Sequence, residues 1–225
     1  RGTQQTDYYD VVLIDNGLYQ TPEQVVSDPR RLSSTELKLG DIAYVDVNGD
    51  GKIDSEDKLR YGMPTSPHFT YGIDFIFSYK GFSLSGLFYG TGKRHMAFGT
   101  NDTKGESVHI KNEYLLDYWR EDNPDATFPR ISLNAGRNGN NNTENSTFWI
   151  KSASFLRLKN LSLGYDFKYK LLKNINWLTA LKINLTGANL FTISGVANYW
   201  DPETTSTSGG YPVQRVYSIG VTVGF

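Results

Sequence analysis

The densest group of chemistry-bearing residues in this 225-residue chain is a run of oxygen donors, Asp46-Val47-Asn48-Gly49-Asp50-Gly51-Lys52-Ile53-Asp54-Ser55-Glu56-Asp57. Its spacing follows the EF-hand loop. Asp46, Asn48 and Asp50 fall at loop positions one, three and five, and Gly51 takes the sharp turn at six. Lys52 offers its main-chain carbonyl at seven, Asp54 acts through water at nine, and Asp57 closes the loop at twelve. Hard, flexible oxygen ligands wrapped around one point suit calcium. These six residues are therefore the candidate metal ligands, and structural calcium is the expected cofactor. Two departures argue against a sensor EF-hand. Position twelve is aspartate where a bidentate glutamate is usual, and no amphipathic helices flank the loop. The competing reading is a solvated, Asx-rich turn without metal.

Other chemistry is thin. His68, His95 and His109 are scattered and match no zinc spacing. Gly90-Thr91-Gly92-Lys93 lacks the spacing of a phosphate loop. Cysteine is absent, which excludes disulfides, thiolate zinc sites and a cysteine nucleophile. No enzyme is expected. Lysine plus arginine number 23 against 24 acids, a net charge of −1, so there is no electrostatic case for a nucleic-acid partner.

The elements that must carry these residues are strands. Only 38% of residues are hydrophobic, yet 14% are aromatic, and 22 are glycine. That balance favours an all-β chain. Phe69, Tyr71, Ile73, Phe75, Phe77 and Tyr79 occupy alternate positions, the period of a two-faced strand. Lys80-Gly81 is a hairpin turn, and Phe82, Leu84, Gly86 and Phe88 resume the apolar face. A third strand is expected over 148–167. Leu156 and Leu158 share one parity while Leu161, Leu163 and Tyr165 share the other, so a β-bulge is expected near Lys159-Asn160. A fourth strand covers about 178–193, and a fifth runs from Val213 to Phe225. A helix is expected over Val108–Glu121 and a mobile asparagine tract over Asn138–Asn145.

Short connections alternate with long ones, aromatics gather near strand ends, and the second face of each strand carries small polar residues. These are the marks of an outer-membrane barrel. The expected fold is all-β: C-terminal antiparallel strands of a transmembrane β-barrel with long extracellular loops. Five strands cannot close a barrel, which needs about eight, so a fragment is expected. Residues 1–66 read as an extracellular loop region holding the EF-hand-like loop 46–57. Residues 67–225 read as five C-terminal barrel strands with loops 91–147 and 194–212. Tyr217, Ile219, Val221, Val223 and Phe225 line one face of the last strand. They resemble the sorting signal of bacterial outer-membrane barrels, which the barrel-assembly machinery reads. Trp119, Trp149, Tyr199 and Trp200 have rings that could stack on sugars, but the sequence does not single out substrate-binding residues.

Several segments together resemble the SusC/RagA family of TonB-dependent transporters. They are Leu39 to Asp54, Tyr61-Gly62, Pro67 to Gly72, Tyr79 to Phe82, Trp119 to Arg130, Ser154 to Tyr165, Gly187 to Thr192 and Asp201-Pro202-Glu203, in the family's order. The resemblance runs from about Gly17 to Phe225. It implies a 22-stranded barrel in the bacterial outer membrane, surrounded by lipid. It also implies an upstream plug that engages the TonB complex and a SusD-like surface lipoprotein as partner. The imported solute would be an oligosaccharide or a peptide. The rival reading is a secreted, calcium-stabilised β-sandwich that binds carbohydrate, in which the apolar strand faces would pack on each other.

Overall fold

The structure is a computed structural model that describes residues 10–28, 37–62, 66–97, 117–131, 141–170, 172–196, 201–203 and 213–225. Strands dominate: β1 (Asp10–Val12), β2 (Asp15–Leu18), β3 (Ile42–Tyr44), β4 (Leu59–Tyr61), β5 (Phe69–Tyr79), β6 (Phe82–Gly92), β7 (His95–Ala97), β8 (Ile150–Ser152), β9 (Phe155–Asp166), β10 (Ala180–Ser194) and β11 (Val216–Gly224). One short helix, α1 (Pro22–Ser27), starts at a capping box in which Thr21 and Gln24 satisfy each other's backbone N–H groups. The chain forms two compact units. One is drawn from residues 1–65, 95–152 and 204–210, the other from 66–94, 153–203 and 211–225.

The second unit is a five-stranded antiparallel sheet in the order β11-β10-β9-β6-β5. Lys80 and Gly81 join β5 to β6 with φ of 46° and 88°, the left-handed pair that a tight hairpin turn demands. Directly paired residues of an antiparallel ladder point to the same side. Phe77, Leu84, Leu163, Leu185 and Ile219 therefore form one row across all five strands, and Tyr79, Phe82, Tyr165, Ile183 and Val221 form the next. The opposite face carries Ser78, Ser83, Gly164, Asn184 and Gly220, then Ile76, Ser85, Ser162, Thr186 and Ser218. One side of the sheet is apolar and the other is mostly small and polar, as the alternation predicts.

The apolar side has gaps that aromatic rings fill. A Cβ on Gly86 would lie 2.5 Å from Phe75 Cζ, and side chains on Gly90 and Gly92 would collide with the rings of Tyr71 and Phe69. Each glycine is thus covered by the ring of its cross-strand partner, a recurrent way of packing over strand glycines.

The bulge lies where the phase of the sequence breaks. Leu87 pairs with Asn160 but Phe88 pairs with Leu158, so Lys159 has no partner on β6. On the other side, Ala188 pairs with Asn160 and Phe191 with Leu158. Asn189 and Leu190 therefore stand against Lys159, with Asn189 at φ 54°. The extra residue returns Leu156 and Leu158 to the side occupied by Leu161 and Leu163.

Two expectations need correction. The strand expected over 148–167 is two strands in different sheets: β8 pairs with β7, whereas β9 enters the five-stranded sheet. The helix expected over Val108–Glu121 lies mostly outside the described residues. Its last part, from Asp117, makes isolated bridges and turns instead, because Asp117 accepts from Thr127 N and Asn123 Nδ2 and folds the chain back.

In the first unit the strands are three or four residues long and pair in twos: β1 with β4, β2 with β3, β7 with β8. Leu13, Ile42, Tyr44, Met96 and Trp149 are buried there.

Candidate functional site

The oxygen-rich loop folds as a series of backbone-satisfying turns. Asp46 Oδ1 accepts from Gly49 N at 2.6 Å and its Oδ2 from Gly51 N at 2.8 Å. Asn48 Oδ1 accepts from Asp50 N, and Asp50 Oδ1 from Lys52 N, both at 2.9 Å. Gly49 and Gly51 adopt φ of 76° and 81°, which only glycine reaches without strain. Asp54 caps the short 3-10 turn 55–57 by accepting from Glu56 N. Asp57 is fully buried and reaches back across the loop. Its Oδ1 accepts from Val47 N and Asn48 N, and its Oδ2 from Asp54 N.

The structure thus gathers Asp46, Asn48, Asp50, Lys52, Asp54 and Asp57 into one closed loop. Among the described residues no three His, Cys, Asp or Glu side chains stand close enough together to hold an ion as they are. Asp46 Oδ1 and Oδ2, Asp50 Oδ1 and Asp54 Oδ1 each accept one backbone N–H and keep a lone pair, whereas Asp57 Oδ1 accepts two. The donor chemistry fits a hard cation, and the arrangement would have to draw inward to surround one.

A second polar constellation lies in the same unit. Asp41 is buried, and its Oδ1 sits 2.6 Å from Arg130 Nε. Its Oδ2 accepts from Lys38 N at 2.9 Å. Asn142 Nδ2 donates to Asp41 Oδ1 while its Oδ1 accepts from Ile42 N. Asn141 Nδ2 donates to the Ile42 carbonyl, Tyr44 Oη donates to the Asn141 carbonyl at 2.5 Å, and Trp149 Nε1 donates to the Asn142 carbonyl at 2.9 Å. Burial pushes the Tyr44 phenol far above its usual range, so it serves as a permanent donor. The expectation of a mobile asparagine tract is wrong for this segment. Asn141 and Asn142 are 2% and 0% exposed because their amides pair backbone groups that three-residue strands leave over. The described sugar-stacking candidates, Trp119 and Trp149, are buried, whereas Tyr199 and Trp200 lie outside the described residues.

The third constellation lies on the polar side of the five-stranded sheet. Arg157, from β9, is 2% exposed. Its Nη1 meets Glu203 Oε2 at 2.5 Å, its Nη2 meets Asp201 Oδ1 at 2.7 Å, and its Nε donates to Thr192 Oγ1 at 2.9 Å. Lys159 Nζ holds Glu203 Oε1 at 2.9 Å, and Arg94 Nη1 donates to the Pro202 carbonyl at 2.5 Å. Three cations thereby clamp the segment Asp201-Pro202-Glu203. No partners for Arg157 and Lys159 were named from the sequence. The signal was present: cations in a two-faced strand need anions, and the acids of the 194–212 connection supply them.

Tyr217, Ile219, Val221 and Val223 share the apolar side of β11, which among the described residues pairs with β10 alone, and Phe225 stacks on Trp177 with ring centroids 6.1 Å apart. Ile219 is 72% exposed and Phe77 61%. The sandwich reading requires these residues to be packed against a second layer, not exposed.

A single sheet with one broad apolar side and one polar side carrying buried ion pairs is the wall of a membrane β-barrel in cross-section. Comparison with known proteins agrees. No family model matches the chain. It is 26% identical over 233 residues to TonB-dependent receptor P26 of Formosa agariphila, covering 93% of this chain and 22% of that protein. It is 29% identical over 214 residues to receptor P39 of the same organism, covering 87% and 20%. To the TonB-dependent receptor SusC of Bacteroides thetaiotaomicron it is 26% identical over 188 residues, covering 81% and 17%. The RagAB peptide transporter shares its fold with a TM-score of 0.60 at 22% identity, covering 97% of this chain and 22% of that one. The chain thus spans about a fifth of the length of the curated relatives it matches. Over most of its length it is similar to a stretch of the SusC/RagA-type TonB-dependent receptors, and like them it is an outer-membrane chain.

Proposed function

We propose that this chain supplies wall strands and surface loops of a TonB-dependent outer-membrane importer. The importer takes up oligosaccharides or peptides together with a SusD-like surface lipoprotein. The observation that carries the reading is the two-sided sheet, in a chain similar over 81–93% of its length to TonB-dependent receptors. In this reading the apolar side faces lipid and the polar side faces the channel. The clamp on Asp201-Pro202-Glu203 anchors a surface loop to the channel wall. The loop-rich unit is extracellular.

The test is uptake of labelled oligosaccharide and labelled peptide mixtures by cells with and without the full protein. Uptake of one class should require the protein and stop when TonB is removed. Equal uptake of both classes without the protein would overturn the importer. Copurification of a surface lipoprotein tests the partner separately.

Calcium in the 46–57 loop is proposed as a structural ligand. The lone pairs left on Asp46, Asn48, Asp50 and Asp54, with the Lys52 carbonyl, support it, and Asp57 closes the loop at the twelfth position. Its role is to stiffen the loop.

A further inference from the structure

The two ends of the five-stranded sheet treat their cations differently. At the end where β6 finishes and β9 begins, Arg157 and Lys159 are matched by Asp201 and Glu203. At the opposite end lie the two short connections, 80–81 and 167–179. From Phe167 to Lys182 the sequence holds four lysines and no acid.

These two turns touch. Asp166 N donates to the Gly81 carbonyl at 2.8 Å, and a Cβ on Gly81 would lie 3.1 Å from Tyr169 Cβ. Lys80, Lys170 and Lys173 are exposed on this joined rim, and no carboxylate of the described residues pairs with them. The nearby acid, Asp166, is engaged with Lys182 at 3.4 Å and accepts from Lys168 N. Lys168 Nζ is held by the Ile175 carbonyl at 2.6 Å, which stiffens the second turn.

Directly beside the lysines stands a band of rings. Tyr79, Phe82 and Tyr165 end the apolar rows, with Phe82 and Tyr165 centroids 4.4 Å apart, and Trp177 stacks on Phe225. Trp177 is 67% exposed. Amphipathic rings settle at the level of lipid headgroups, and lysines one turn beyond them reach the phosphates. Lys80 Nζ also lies 4.9 Å from the centre of the Tyr79 ring. An apolar sheet, then a ring band, then cations without a carboxylate partner among the described residues is the order in which a bilayer presents acyl chains, interface and phosphate.

We propose that this rim binds the anionic phosphodiester headgroups of a phospholipid surface, with Lys80, Lys170 and Lys173 as the phosphate contacts. The inference goes beyond the importer reading and does not depend on the imported solute. The rim selects anionic over zwitterionic phospholipid, because the extra negative charge has uncompensated cations to meet.

The test uses the full protein reconstituted in nanodiscs of mixed phosphatidylglycerol and phosphatidylcholine, with retained lipid counted by native mass spectrometry. The wild type should retain phosphatidylglycerol in excess of its share. A Lys80→Gln, Lys170→Gln, Lys173→Gln variant should lose that enrichment, by roughly fivefold for each lysine removed. The corresponding triple arginine variant should keep it. Where the triple glutamine variant does not fold, the single exposed-site variants K170Q and K173Q give the same reading. Enrichment unchanged by the glutamine substitutions would overturn the proposal. So would a wild type that retains both lipids in proportion. Loss of the bound phosphatidylglycerol to excess phosphatidylcholine would also overturn it, because a rim selective for anionic headgroups does not exchange them for zwitterionic ones.

Discussion

Asn142 and Ile219 occupy opposite extremes of this molecule. One is a primary amide with no exposure, the other an isoleucine largely exposed. In the loop-rich unit the strands are three or four residues long, so most backbone groups lie outside any ladder. Polar side chains go inside to satisfy them, as Asp41, Asn141 and Asn142 do. In the sheet the ladders of 9 to 15 residues already pair the backbone of the inner strands. Side chains there are free to follow the solvent, and in the proposed reading the apolar ones point outward because the solvent on that side is lipid. What counts as interior is set by where the backbone is satisfied and by what surrounds it.

The comparison is broken most severely at Asp41. Asp41→Ala leaves Arg130 without its anion and strips an acceptor from Asn142 Nδ2 and Lys38 N. The expected loss is about 3–5 kcal/mol. Limited proteolysis within 37–62 should accelerate sharply while the sheet stays protected. Cleavage at the wild-type rate would mean that the polar network does not hold the unit together.

A charge on each side of the sheet comes next. Phe75→Lys puts a cation on the apolar side at mid-strand and should cost about 2–4 kcal/mol in urea titrations of the lipid-reconstituted protein. Ser78→Lys, on the polar side, should be tolerated. Equal costs would remove the basis for assigning one side to lipid.

Smaller still is Gly86→Ala. The new methyl meets the Phe75 ring and the Asn160 carbonyl. Overpacking of this kind costs roughly 1–3 kcal/mol. The penalty should shrink in a Phe75→Ala background, which a double-mutant cycle measures. Additive costs would show that the ring does not cover the glycine.

The smallest effect belongs to the proposed calcium. At ten times its dissociation constant the ion should stabilise the loop by about 1.4 kcal/mol. Protease resistance of residues 46–57 should rise with calcium and fall back with chelator. No change on addition leaves the loop a metal-free turn series.

The long strands were legible because Phe69 to Tyr79 repeats its two-residue period often enough to be seen. The bulge was legible because a parity change at Leu158–Leu161 admits few other causes. Strands β1 to β4 were not, since three or four residues cannot establish a period. Asn141 and Asn142 were misread for a physical reason: polarity alone does not say whether an amide is solvated or bonded to orphan backbone. The Trp149-Ile150 pair just after them was a hint of a buried neighbourhood. The clamp was half legible, as its two halves lie more than 40 residues apart and only the fold makes them neighbours.

The bulge at Lys159 gives one codon an unusual freedom. Lys159 has no partner on β6, because Leu158 and Asn160 pair with the successive residues Phe88 and Leu87. Loss of that codon would therefore leave a continuous strand whose sides are unchanged, with Leu156, Leu158 and Leu161 still together and Arg157 still turned toward Asp201 and Glu203. The contact from Lys159 to Glu203 would be lost. In the evolution of this chain, that point of β9 is one where length can change by a residue without inverting a face.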